Sequence, residues 1–178
     1  LDPHRPGDER RYYPGETNFL RADVLVINKV DSADPADVAA LRETAARFNP
    51  SATLVTTASV IDTDDPSAIA GKRVLVIEDG PTVTHGGMAY GAGALAAREH
   101  GAAELVDPRP YAVGSAKTTF EKYPHLTEVL PAMGYSAEQL ADLAATIQAT
   151  PCDAVVEGTP IDLRRLIEFG HPAVRVTY

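Results

Sequence analysis

The 178-residue chain has one cysteine, few basic residues and no long apolar run. A single thiol, Cys152, cannot close an intramolecular disulfide or build a cysteine-rich metal centre. Lys and Arg number 16 against 25 Asp and Glu, a formal charge of −9 with His neutral. That deficit excludes the basic patch on which nucleic-acid binding depends. No hydrophobic stretch nears the ~20 residues that cross a bilayer. The amino end shows no basic-then-apolar leader. The expectation is a cytoplasmic protein with no nucleic-acid and no membrane partner. There is no internal repeat and no low-complexity segment. The chain opens on Leu1 rather than Met, and a missing upstream segment is expected.

What is present is alternation. Short Val/Ile/Leu runs read as buried strands: Val24 to Ile27, Val74 to Ile77, Ala154 to Val156 and Ala173 to Val176. Thr53 to Thr56 and Glu104 to Val106 are weaker ones. Between them, Pro35 to Phe48 sets Val38, Leu41, Ala45 and Phe48 on one helical face. Ser136 N-caps a helix with Leu140, Leu143 and Ile147 inward. Further helices are expected from Met88 to His100, closed by Gly101, and from Asp162 to Phe169. This pattern predicts an α/β fold, a mostly parallel sheet with helices on both faces. Residues 1–20 read as a loop, and residues 21–178 as one α/β domain with halves at about 21–70 and 71–178. In such folds ligands sit at the carboxyl ends of the strands.

The first such end carries Asn28-Lys29-Val30-Asp31. An Asp carboxylate in this position accepts from the ring N1–H and the exocyclic amine of guanine together. Adenine offers no such donor pair. Three fixed residues over this length give on the order of 0.02 chance matches. Capping of the next helix is the plainer alternative. One β-unit later, Thr57-Ala58-Ser59 sits where a backbone N–H reaches the guanine carbonyl. These six residues (Asn28, Lys29, Asp31, Thr57, Ala58 and Ser59) are the candidate base-binding set.

After Val74 to Ile77 come Glu78-Asp79-Gly80-Pro81-Thr82-Val83-Thr84-His85-Gly86-Gly87. Gly86 and Gly87 let backbone amides approach an anion. His85 is a candidate proton donor or phosphate ligand, and Asp79 a candidate Mg²⁺ ligand. Arg109, set between prolines, suits phosphate or carboxylate recognition. A simple turn and a surface Arg are the bland readings. Gly91-x-Gly93 reads as close helix packing and Cys152 as a small apolar residue.

Several long strings resemble one family. They are Asp2-Pro3-His4-Arg5-Pro6-Gly7, Tyr12-Tyr13-Pro14-Gly15-Glu16-Thr17-Asn18 and Ala22 to Asp31. Glu78 to Pro81, Thr84 to Met88, Asp107 to Gly114, Leu130 to Tyr135 and Gly158 to Leu163 continue the likeness. The family is that of P-loop GTPases related to cyclic 2,3-diphosphoglycerate synthetase. The resemblance implies a P-loop NTPase-like fold, Mg²⁺ and a nucleoside triphosphate, with Asp2 as a second metal-holding carboxylate. It also implies that the phosphate-cradling loop lies upstream, because no Gly-x-x-x-x-Gly-Lys-Ser/Thr occurs in this chain. The fragment by itself is therefore expected not to hydrolyse GTP.

Three functions follow as expectations. The first is a GTPase or GTP-dependent phosphoryl-transfer enzyme, with His85 and Arg109 at the phosphates. The second is an ATP-dependent ligase acting on a phosphorylated small acid. The third is a nucleotide-dependent switch or metallochaperone, ranked last for want of a Cys/His cluster. The expected partners are a nucleotide and a small phosphorylated substrate, with homodimerisation left open.

Overall fold

The computed structural model describes residues 1–85 and 87–178, and it divides into two compact units, Leu1–Val60 and Ile61–Tyr178. The boundary falls ten residues before the one read from the sequence.

The first unit comprises α1 (Gly15–Arg21), β1 (Val24–Ile27), α2 (Pro35–Phe48) and β2 (Thr53–Thr56). β1 and β2 pair in parallel, Val24 beside Thr53 through Ile27 beside Thr56. Asp34 caps α2, accepting from the Ala36 amide at 2.8 Å, and Pro35 takes the first helical position, where its missing N–H costs nothing. Phe19, Leu25 and Ala45 form the buried centre of this unit. α1 stands where the sequence reading placed only loop. It has no apolar repeat of its own. Its carboxyl end is held from α2 instead: the Asn49 side-chain amide donates to the Phe19 and Ala22 carbonyls, both at 2.9 Å.

The second unit holds β3 (Asp62–Thr63), β4 (Arg73–Asp79), α3 (Gly80–Thr84), α4 (Ala92–Glu99) and β5 (Glu104–Leu105). It continues with α5 (Gly114–Lys122), β6 (Leu130–Ala132), α6 (Ala137–Ala149), β7 (Ala154–Gly158) and β8 (Ala173–Thr177). The sheet order is β3-β8-β7-β4-β5, with β6 also on β4. All pairings but β3 with β8 are parallel. β5 pairs with the start of β4 and β6 with its end, so β4 is central along its whole length. Val74 to Ile77 and Ala154 to Val156 are fully or almost fully buried, which explains their unbroken apolar runs. Ala116, Phe120, Leu143 and Ile147 bring α5 and α6 into the same core. Ser136 and Gln139 close a capping box on α6.

Two expected helices differ. α4 starts at Ala92 rather than near Met88, and Asp162 to Phe169 yields only a 3-10 turn at Leu163–Arg165. Among the described residues, no helix is long and apolar enough to cross a membrane.

Candidate functional site

The loop leaving β1 is built by its own side chains. Lys29 adopts φ 60, a left-handed conformation that a side chain disfavours. That turn brings the Val30 amide to the Thr57 carbonyl at 3.2 Å and the Ser32 amide to the Lys29 carbonyl at 3.3 Å. Thr57 Oγ1 donates to Asn28 Oδ1 at 2.7 Å, and the Ser59 amide donates to Asp31 Oδ1 at 3.0 Å. So the two loop segments read from the sequence, Asn28 to Asp31 and Thr57 to Ser59, are laced together. The side-chain carbonyl oxygen of Asn28 is engaged within the loop, whereas Asp31 is exposed and accepts through Oδ1. Ala58 lies between the laced residues and is exposed.

Leu1 lies along the edge of β1: its amine donates to the Val26 carbonyl at 2.6 Å and its carbonyl accepts from the Asn28 amide at 3.1 Å. This sets Asp2 beside Lys29, Oδ2 to Nζ 3.5 Å. Burial works against ionisation of Asp2, but the His4 amide and the Lys29 ammonium hold its carboxyl below the usual range.

In the second unit, the carboxyl ends of β4, β6 and β7 gather a different set. Glu78 is 2% exposed. Its Oε1 accepts from the Gly91 amide at 3.0 Å and the Ala94 amide at 2.8 Å, closing the amino end of α4. Burial pushes this carboxyl up to about 7, against the pull of those amides. Its neighbours are glycines for want of room. A Cβ on Gly158 would lie 2.6 Å from the Gly93 nitrogen and 2.9 Å from Glu78 Oε2. Gly158→Ala therefore drives backbone against backbone. We expect it to cost about 2 kcal/mol, read as a lowered urea midpoint.

Glu157, on the next strand, is completely buried. Oε1 accepts from the Leu163 amide and lies 3.1 Å from Thr159 Oγ1, whose hydrogen has a closer acceptor in the Ile161 carbonyl at 2.6 Å; among the described residues Oε2 has no hydrogen-bond partner. Arg164 and Arg175 approach it at 3.7 and 3.8 Å. Burial pushes the Glu157 carboxyl up. Tyr135 and Tyr178 also lie near this end: burial and then the Asp79 charge raise both phenols.

Asp79 caps α3, its Oδ2 accepting from the Thr82 amide at 3.2 Å and hydroxyl at 2.8 Å. His85 follows α3 and is exposed, with Nδ1 3.1 Å from Thr84 Oγ1. Gly87 takes φ 64, and Gly86 lies outside the described residues. Arg109 spends its fork on Asp107, Nε to Oδ1 2.9 Å and Nη2 to Oδ2 2.7 Å. That pairing uses two of the five donors of its guanidinium. Among the described residues, no three His, Cys, Asp or Glu side chains converge on a metal-sized site.

Sequence reasoning missed Glu78 and Glu157 as site residues. The available signal was an acid closing an otherwise apolar strand, in Val74-Leu75-Val76-Ile77-Glu78 and Ala154-Val155-Val156-Glu157.

What these two units define is an α/β protein with polar groups collected at strand carboxyl ends. The chain matches no protein-family model. It is 57% identical over 177 residues to the arginine synthetase ArcE of Thermococcus kodakarensis, a match covering 99% of this chain and 40% of that protein. The chain thus spans about 40% of the length of the curated relative it matches. The likeness supports a relation to synthetases rather than to the GTPases implied by the sequence resemblance.

Proposed function

We propose that the chain is part of an ATP-dependent synthetase, a ligase in which phosphoryl transfer from the nucleotide drives bond formation on a small acid, with arginine as the product. The observation that carries this reading is the 57% identity over 177 residues to an arginine synthetase. In this proposal the fold is P-loop NTPase-like, and the loop that cradles the triphosphate belongs to polypeptide outside this chain.

The residues divide by unit. Asn28, Lys29, Asp31, Thr57, Ala58 and Ser59 hold the base. In the second unit taken by itself, His85, Gly86, Gly87 and Arg109 are the candidates for contact with phosphate. Mg²⁺ takes one or two carboxylates when phosphates and water complete its octahedron. Asp79 fits that demand, since Thr82 uses only its Oδ2. Asp2, in the first unit, is a separate candidate through the oxygen not paired with Lys29. The ion would offset charge on the phosphates.

A second reading keeps GTP as the nucleotide. One observation favours it: Asn28 is hydrogen-bonded to Thr57 and Asp31 to Ser59, which holds the two segments of the candidate base-binding set together. Calorimetry of the 178-residue chain with ADP and GDP decides between them. The ATP reading expects ADP to bind at least about tenfold tighter, a difference of 1.4 kcal/mol or more. A GDP preference that Asp31→Asn erases would establish GTP instead.

A further inference from the structure

The five histidines of the chain are not equivalent. His4, His100 and His125 each have Nε2 within hydrogen-bond reach of a neighbour: Ser32 Oγ at 3.2 Å, Thr63 Oγ1 at 3.3 Å and the Val83 carbonyl at 3.0 Å. His85 is bonded through its other nitrogen. Thr84 Oγ1 gives its one hydrogen to the Gly80 carbonyl at 2.7 Å. Toward His85 it can only accept, so Nδ1, at 3.1 Å, carries the hydrogen. That assignment leaves the lone pair on Nε2, and the ring is exposed.

The arrangement is rigid where it needs to be. Thr84 is 6% exposed, and its anchor, Gly80, follows directly on the central strand β4. Gly80 is itself fixed by close approach to the Ala132 carbonyl on β6, which leaves no room for a Cβ. A neutral imidazole with Nδ1–H held by an oxygen and Nε2 free is the form in which histidine acts as a nucleophile.

We propose that His85 is a phosphoryl acceptor, becoming phosphorylated on Nε2 during turnover. The Nε2 lone pair attacks the terminal phosphorus of a nucleoside triphosphate. The Nε2–P bond forms as the bond from phosphorus to the bridging oxygen breaks. That electron pair leaves with the nucleoside diphosphate. The Nδ1 hydrogen stays on the ring, where Thr84 Oγ1 shares the positive charge that develops. In the second half, an oxygen of the acid substrate attacks the same phosphorus. The N–P electrons return to Nε2, and the ring is restored. His85 is the group that bonds to phosphorus, and Thr84 is a positioning residue that sets the tautomer. The donor in this scheme rests on the synthetase reading, whereas the imidazole chemistry does not.

The test therefore begins without nucleotide. Incubating the 178-residue chain with potassium phosphoramidate offers a phosphoryl group whose leaving group is ammonia. Peptide mapping and phosphorus NMR then locate the label. We expect acid-labile phosphate on Nε2 of His85, about tenfold above any other histidine, given a preset nucleophile. His85→Asn should remove it with the far-UV circular dichroism unchanged. Thr84→Val should lower the rate several-fold, and Thr84→Ser should restore it. Label spread evenly over the histidines, label on Nδ1, or a rate indifferent to Thr84→Val would overturn the proposal. If phosphoramidate labels His85 as expected but ADP fails to bind, the nucleotide reading fails and the acceptor role stands.

Discussion

Glu157→Ala is expected to destabilise the chain by about 3 kcal/mol, while Glu157→Gln costs less than about 1 kcal/mol. Alanine leaves the buried Leu163 amide without the acceptor that Oε1 provides, while the Thr159 hydroxyl keeps the Ile161 carbonyl at 2.6 Å. A buried donor left without its acceptor costs roughly 1–3 kcal/mol, and the void adds to the loss. Glutamine keeps the acceptor and removes only the charge. That charge contributes little, because burial already pushes the Glu157 carboxyl up and its two Arg partners stand off at 3.7 and 3.8 Å. Among the described residues Oε2, the atom that becomes an amide, has no hydrogen-bond partner to lose. Chemical denaturation of the two variants measures the gap between them. For a chain of this length 3 kcal/mol corresponds to about 10 °C in Tm. Equal losses for both variants would mean that the ion pairs, not the hydrogen bond from the Leu163 amide, hold Glu157 in place.

The same residue shows where sequence stops informing structure. Asp162 to Phe169 has the composition of a short helix, yet only Leu163–Arg165 turns. The Leu163 amide is already claimed by Glu157, six residues back, and the Arg164 side chain is drawn to Asp64 at 2.9 Å. α4 is the parallel case. Periodicity alone cannot place its start at Ala92, because the side chain that closes its amino end is Glu78, on β4. α1 lacks an apolar stripe and is held by Asn49 from α2. β6 contains Pro131 and spans three residues, so it exists only as a partner of β4.

The doubly buried strands were legible for the opposite reason. Val74 to Ile77 and Ala154 to Val156 need no partner to declare themselves apolar. Val24 to Ile27, read as a buried strand for the same reason, buries only Leu25 and Ile27 and leaves Val24 and Val26 exposed. α2 was legible too, because its cap, proline and inward residues are local. The Asn28 to Asp31 loop and Thr57 to Ser59 were read together from the sequence, and the structure joins them by hydrogen bonds from Thr57 to Asn28 and from Ser59 to Asp31. Burial of an acid, by contrast, is a tertiary property. Nothing local distinguishes Glu78, which closes a helix, from its neighbour Asp79, which caps a turn beside it.

That difference between Glu78 and Asp79 has a measurable consequence in the pH dependence of stability. Glu78 is raised from 4.5 to about 7 in the folded chain, chiefly by burial. Below about pH 4.5 the carboxyl is protonated in both folded and unfolded states, and its contribution is fully present. Between 4.5 and about 7 the unfolded chain releases a proton that the native chain keeps. Stability therefore falls as pH rises, and the contribution is lost once pH passes the folded value. The interval is worth roughly 3 kcal/mol. Asp107, Asp142 and Asp162 are lowered from 3.8 instead, so their contributions are lost only in acid, below this window. Urea titrations at pH 5 and pH 8 should show the wild-type chain less stable at the higher pH. Glu78→Gln, which keeps an acceptor for Gly91 and Ala94, should flatten most of that slope. Parallel pH curves for the two proteins would show instead that the Gly91 and Ala94 amides outweigh burial and that Glu78 is ionised throughout.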